Sequence, residues 1–558
     1  MDFLGLHYAI WIVLVLYFVG MLLMGWWSKR GTHSQEGYLL GNRQFGVSMM
    51  IMHAFGAGTH PGNVAGVMSE ATVSGASGIW ISWMWLFGTP FYWLIAPIIR
   101  RMRCLTMADY FEERFGKAAS VLYIIVAAVG MVVFLAGVLL ATTRTVQGMM
   151  GLAMGAESDG WFFGILLVST AVFIVYSYWG GIVAAIRTDM IQGLMIIALS
   201  FIAIPAALRL NEVGGLSGMR ETLAAQTSSG VDYLHLFNPL KFSLWTVLVL
   251  SINAPLTALA FPHLMSVCAA GRTEWEGRVG FTYGNILKRV CTIGWCVLGL
   301  CWVAYLIKTG SEIHKDAAFG NSIRTLLHPV LQGVMLACVM AASMSSGDAV
   351  QVTVAGLFSQ NIYRVYVNPN ADQKQLVRVT RVIGVVVALL ALVGAILMRQ
   401  NLVKAILDYF NILSLVGIST AMGLLWRRMN SAGMFCSTIA AVLTFIVTRY
   451  FIEYTSEIRA ITTGVPIITG VVGGIAGSLL TKPPSTETIE KFFKKIYVPI
   501  GQEDKLELPL DEAVPACQRW ITAGGLFLVK PSRQSWVGFV ITLGICVACV
   551  LVMLALLK

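Results

Sequence analysis

The sequence predicts an all-α polytopic membrane protein of about fourteen transmembrane helices, built as a 5+5 inverted repeat in which each half carries one broken helix. Three observations predict this. Hydrophobic residues make up 57% of the chain and charged residues only 12%, where a soluble protein of this size carries about 25% charge. Apolar runs of spanning length recur from one end to the other. Two of them, five spans apart, are interrupted at their centres by glycine, proline and polar residues.

The spans fall near 7–27, 46–73, 79–99, 118–150, 161–179, 182–208, 242–268, 284–308, 326–361, 377–398, 402–426, 431–452, 462–480 and 536–557. They are too long and too uniformly apolar for strands. Residues 1–45 form an extra helix and its following loop, 46–208 the first half, 209–241 an outside loop, and 242–426 the second half. Two further helices occupy 427–480, a polar inside loop 481–535, and a last helix 536–558. The loops assigned inside carry Lys29, Arg30, Arg43, Arg100, Arg101, Arg103, Arg114, Arg364, Arg378, Arg427 and Arg428, and those assigned outside are poorer in Lys and Arg. That bias places both termini outside a plasma (inner) membrane. The net charge of +11 is therefore a topology signal, not a nucleic-acid footprint. Of the ten cysteines, most lie in apolar spans, and Cys546 and Cys549 form a CxxC inside the last helix, where they read as small buried hydrophobes.

The first interrupted span reads Ala54-Phe55-Gly56-Ala57-Gly58-Thr59-His60-Pro61-Gly62-Asn63. Glycine and proline weaken a helix and free carbonyls, and irregular backbone at membrane depth is tolerated only where it is buried in protein or lines a cavity. The second carries Asn253, Pro255 and then Phe261-Pro262-His263. Broken helices in corresponding positions of two halves mark the binding site of a secondary transporter. The strongest polar cluster within a span is Ala341-Ala342-Ser343-Met344-Ser345-Ser346-Gly347-Asp348. Ala342, Ser345 and Ser346 share one helix face, and hydroxyl and carbonyl oxygens suit a hard cation. Asp348 and Asp189 are carboxylates at membrane depth, each requiring a partner, a proton or a cation. Arg144, in Thr142-Thr143-Arg144-Thr145, either holds a solute carboxylate or snorkels to the outer interface. No GxxxxGK[ST] phosphate loop occurs, and no nucleophile–base pair or metal-ligand spacing stands out, so neither ATP-driven transport nor an enzyme is expected.

In six stretches the chain resembles the sodium:solute symporters. These are Gly37-Tyr38-Leu39-Leu40-Gly41-Asn42-Arg43, Thr106-Met107-Ala108-Asp109 through Gly116, Tyr178-Trp179-Gly180-Gly181 leading to Thr188-Asp189 and Gln192, Pro262-His263, Ala342 to Ser346, and Asn361-Ile362-Tyr363-Arg364. The resemblance implies a leucine-transporter-type fold and sodium-coupled symport of a small organic solute by alternating access. It implies a sodium ion held by the carbonyls of Gly56, Thr59 and Ala342 and the hydroxyls of Ser345 and Ser346. Asn63 and Asn253 match solute-contacting positions of sugar-transporting members, but the tyrosine of those members is Leu256 here. Pro262-His263 resembles the proline, pantothenate and monocarboxylate branches, so the solute is a carboxylate, an amino acid or a sugar-like molecule. His60 and His263 are further solute candidates, with capping of the breaks as their other reading. Where some members hold a second sodium, this chain has Asp348 and Ala349. Asp189, Ser345 and Asp348 are accordingly expected to form a second cation site or a protonated acid pair. Proton-coupled transport through Asp189 and Asp348, and a transporter-like sensor with 481–535 as output, are the competing readings. The partners expected are the solute, sodium and membrane lipid, with no nucleic acid and no obligate protein partner.

Overall fold

The computed structural model describes the backbone of every residue except 1, 4, 29–34, 153–158, 227–231, 240, 313 and 453–456. Side chains are in addition not described at 2–3, 22, 25–28, 35, 176–182, 184 and 523. Lys29 and Arg30, and the side chains of Tyr178, Trp179, Gly180 and Gly181, thus lie outside the described residues.

Helices dominate. In chain order they are α1 (Tyr8–Ser28), α2 (Val47–Gly58), α3 (Pro61–Ser74), α4 (Tyr92–Arg101), α5 (Met107–Phe115), α6 (Lys117–Met150), α7 (Asp159–Ile202), α8 (Leu244–Ala260), α9 (Leu264–Ala269) and α10 (Glu274–Thr309). They continue as α11 (Pro329–Leu357), α12 (Gln373–Leu397), α13 (Leu402–Leu425), α14 (Ser431–Tyr450), α15 (Ile458–Leu479), α16 (Thr486–Tyr497) and α17 (Arg533–Leu557). Among the described residues nine helices are long and apolar enough to cross a membrane. The span expected at 161–179 falls within α7, and the one expected at 182–208 runs from α7 into a short helix, Ile204–Leu208.

Both expected breaks are present. Pro61 opens α3, and the residue before a proline is pushed out of the helical region. His60 accordingly sits at φ −119°, ψ 163°, with Thr59 extended beside it at φ −118°, ψ 105°. The same rule acts at Phe261, which precedes Pro262 and sits at φ −60°, ψ 123° between α8 and α9.

The broken pair α2–α3 is held by α10, α7, α6 and α13. Glycines let α10 approach α2. A Cβ at Gly280 would lie 2.6 Å from the Met50 Cβ, and one at Gly284 2.6 Å from the Ile51 carbonyl oxygen. Small residues spaced in this way are how membrane helices gain close van der Waals contact. Two of the motif stretches dock on each other at the opposite end of the bundle. Thr106 and Asp109 cap α5, Thr106 Oγ1 donates to Asn361 Oδ1 at 2.9 Å, and Asn361 Nδ2 donates to Asp109 Oδ1 at 2.6 Å.

The polar segment 481–535 is a folded cap packed against the bundle. Arg103 donates to the carbonyls of Lys495, Val498 and Pro499 and to Glu503. Lys495 pairs with Glu113, Tyr497 Oη donates to the Phe527 carbonyl, and the amide of Arg427 donates to the Gly525 carbonyl. The apolar face of α16 (Ile489, Phe492, Phe493, Ile496) is buried by these contacts. The Arg103 guanidinium holds the Glu503 carboxyl below the usual glutamate range.

Candidate functional site

At the first break the end of α2 meets α11. Ser346 Oγ donates to the Gly56 carbonyl at 3.0 Å, and Ser345 Oγ donates to Asp189 Oδ1. Both serines and Asp189 are buried. A Cβ at position 56 would overlap Ser345 Oγ and lie 3.2 Å from Asp189 Oδ1. Glycine is thus required at 56 for space, besides offering its carbonyl. Three of the expected sodium donors, Gly56 O, Ser345 Oγ and Ser346 Oγ, lie on one locus. Thr59 is buried one residue past the end of α2, and Ala342 is buried one turn before Ser346. The donor set is hard oxygen, which fits sodium. The Asp189 carboxylate accepts a hydrogen bond from one of these donors, Ser345.

Asp189 is also met from the other side. His53 Nδ1 lies 2.7 Å from Asp189 Oδ2, with neither side chain exposed. His53 Nε2 lies 3.4 Å from Ser266 Oγ on α9, and Ser266 Oγ donates to the His263 carbonyl. One polar chain thus runs from α11 through α7 and α2 to the second broken helix. Asp348 is buried on α11, three residues beyond Ser345. Asp189 and Ser345 of the expected trio meet each other, and His53 joins them at Asp189.

At the junction of the breaks, His60 packs edge-on against Phe134 and Tyr409, with centroids 4.8 and 6.2 Å away. Both its ring nitrogens and the Thr59 hydroxyl are buried without a hydrogen-bond partner among the described residues. Asn63 Oδ1 accepts from the His60 amide at 3.0 Å, so half of this side chain caps α3. Asn253 Nδ2 donates to Asn411 Oδ1 at 3.4 Å, Thr463 Oγ1 donates to the same atom at 3.0 Å, and Asn253 Oδ1 has no partner. The His263 ring stacks at a tilt on Phe261, 4.7 Å between centroids, with Nδ1 unpartnered. Arg144 lies elsewhere. Its turn of α6 is ten residues beyond Phe134, about 15 Å along the axis, and its guanidinium donates to Gln147 Oε1 and the Arg399 carbonyl over the Phe162 ring.

Sequence reasoning missed His53, Lys288, Asn411 and Glu70. Lys288, buried on α10, donates to the carbonyl of Gly58 at the break. Lys288 and Glu70 both fall inside expected spans, and a charge at membrane depth was the available signal. His53 and Asn411 carry no such mark in the sequence.

A cavity of about 370 Å³ opens at the end of the bundle that bears Lys241 and Lys315 and descends to Asn411. Its walls hold five cations (Lys241, Lys315, Lys404, Arg449, Arg459) and two acids (Glu70, Asp408). Glu70 pairs with Arg459 at 3.2 Å and Lys241 at 3.5 Å, and Asp408 with Arg449 at 2.8 Å.

Residues 38–441 match the family model described as the sodium:solute symporter family. The osmoregulated proline transporter of Bacillus subtilis is 27% identical over 502 residues, covering 86% of this chain and 96% of the relative. A sodium/proline symporter of Escherichia coli is 26% identical over 503 residues, covering 85% and 94%. Among solved structures, a Na+-coupled sialic acid symporter in its substrate-bound outward-open state superposes with a TM-score of 0.71 at 17% identity, covering 87% of this chain and 99% of that one. A nucleobase-cation-symport-1 family transporter in a closed conformation gives 0.51 at 12% identity, covering 82% and 98%. These two likenesses establish the fold.

Proposed function

This chain belongs to the sodium:solute symporter family, and on that footing we propose that its solute is a small carboxylate-bearing molecule, with proline the first to test. It is a sodium-coupled symporter of a small solute and not an enzyme. The observation that carries the site reading is the convergence of the Gly56 carbonyl, Ser345 and Ser346 at the break between α2 and α3. Thr59 and Ala342 complete the sodium shell. The solute sits just beyond, among His60, Asn63, Asn253 and His263. Sodium stabilises the outward-open form and solute closes it, since only a ligand with different affinities for two states shifts their balance. The relatives named as proline transporters support proline as the probe. Both termini face outside, by the charge bias of the loops. The test is sodium-dependent [3H]proline uptake into proteoliposomes, with amino acids, monocarboxylates and sugars as competitors. Competition by sugars alone refutes the carboxylate reading.

Asp189 supports a second ion. The fully buried His53–Asp189 contact is a place where a proton or a second cation is held while Ser345 serves the first sodium. Asp189→Asn is expected to change the number of charges moved per solute. Unchanged charge stoichiometry refutes the second site.

A further inference from the structure

We propose that the Lys288 ammonium is the receptor for the carboxylate of the transported solute, and that the solute needs no charged amine to be recognised. This rests on the reading that the solute binds at the break between α2 and α3.

Lys288 is buried in the middle of α10, and its ammonium reaches the Gly58 carbonyl, one of those released where α2 ends. An ammonium has three donors, and Gly58 accepts from one. Among the described residues no carboxylate pairs with Lys288. Asp189 is already engaged by His53 and Ser345. The neighbouring Arg289 is also buried without an acid, its guanidinium donating to the Ser82 carbonyl and to Thr89 Oγ1. Two adjacent cations in the membrane interior with no anion are costly, because each buried ion loses several kcal/mol of solvation unless a counter-charge is supplied. A solute carboxylate supplies it. The unpartnered Thr59 hydroxyl and His60 ring flank the carbonyl that Lys288 already holds. With Lys288 keeping its bond to Gly58, its other two N–H groups are left for the carboxylate oxygens.

The cavity ending at Asn411 presents five cations against two carboxylates, and both carboxylates are themselves paired. Such a wall concentrates anions and speeds their entry. A solute ammonium, by contrast, meets Lys288 and Arg289. The solute class is therefore a small monocarboxylate, with zwitterionic amino acids accepted through their carboxylate alone.

The test uses the purified full-length protein, with thermal unfolding followed in sodium and in choline. The probes are proline, cyclopentanecarboxylate (the carboxylate without the amine) and prolinamide (the amine without the carboxylate). Cyclopentanecarboxylate is expected to stabilise in sodium at least as well as proline, and prolinamide not at all. Lys288→Gln is expected to weaken cyclopentanecarboxylate binding about 100-fold or more while keeping the sodium-against-choline shift. Lys288→Arg, which retains the charge, is expected to stay within about tenfold of wild type. Stabilisation by prolinamide equal to that by cyclopentanecarboxylate overturns the assignment. So does wild-type affinity in Lys288→Gln, or a wild-type protein that responds to sodium and to no carboxylate. In those cases the transport reading stands. A wild-type protein indifferent to sodium and to every probe overturns both. If Lys288→Gln does not fold, the three probes on the wild type decide alone.

Discussion

Replacing Gly56 by alanine adds a single methyl group at the point where α2, α7 and α11 meet. The new Cβ overlaps Ser345 Oγ and lies 3.2 Å from Asp189 Oδ1, inside the 3.4 Å at which ordinary contact begins. Neither neighbour is the free end of a long side chain, so Ser345 must turn away or α2 must back off. Either movement breaks the Ser345–Asp189 hydrogen bond or the 3.0 Å bond from Ser346 to the Gly56 carbonyl. A hydrogen bond to a charged group contributes about 1.5–3 kcal/mol, and a tenfold change in affinity is about 1.4 kcal/mol. Gly56→Ala should therefore raise the sodium concentration for half-maximal uptake about 10- to 100-fold. Solute affinity at saturating sodium should move far less. The assay is solute uptake into proteoliposomes over a sodium titration, with Gly58→Ala beside it as a control: the nearest atom to a Cβ there is Asn285 Oδ1 at 3.8 Å. An unchanged sodium dependence in Gly56→Ala refutes the placement of the ion at this carbonyl.

Three further outcomes are expected. His53→Ala leaves Asp189 buried without its 2.7 Å partner, and removing one member of a buried pair costs about 3–5 kcal/mol. The unfolding midpoint should drop sharply and recover in part in His53→Ala/Asp189→Asn. Arg103→Ala removes the donor to Lys495, Val498, Pro499 and Glu503, so hydrogen exchange over 486–530 should quicken while the spans stay protected. In the wild type, the Glu503 carboxyl is held below its ordinary pKa of 4.5 by Arg103. That contact's contribution is present above 4.5 and is lost only as pH falls through the lowered value, so exchange in the cap, corrected for intrinsic rate, should stay flat at neutral pH and rise only in acid. Lys404→Glu, in the cavity wall, should raise the KM for an anionic solute and flatten its salt dependence with little change in kcat, as loss of steering does.

Backbone breaks were the most legible part of the chain. Pro61 and Pro262 constrain the residues before them whatever the surroundings, so His60 and Phe261 are extended where the sequence places the interruptions. The Ser345–Ser346 face was readable from helical periodicity, and it meets Gly56. What joins distant elements was not readable. His53 looks like any histidine in an apolar run until α7 brings Asp189 against it. Asn411 acquires meaning only from Asn253 and Thr463. Arg144 carried the right chemistry on the right helix, and three turns of α6 separate it from the turn that packs on His60. Lys288 was within reach of the rule that a charge inside a span marks a site, and the rule points to the same break as the glycines.

The most direct test of the account is solute uptake into proteoliposomes under an inward sodium gradient with no pH gradient, in wild type and in Ser346→Ala. Concentrative uptake is predicted that collapses when sodium is equal on both sides, with Ser346→Ala needing more sodium for the same rate. Concentrative uptake in choline driven by a proton gradient alone, or a sodium dependence untouched by Ser346→Ala, would contradict it.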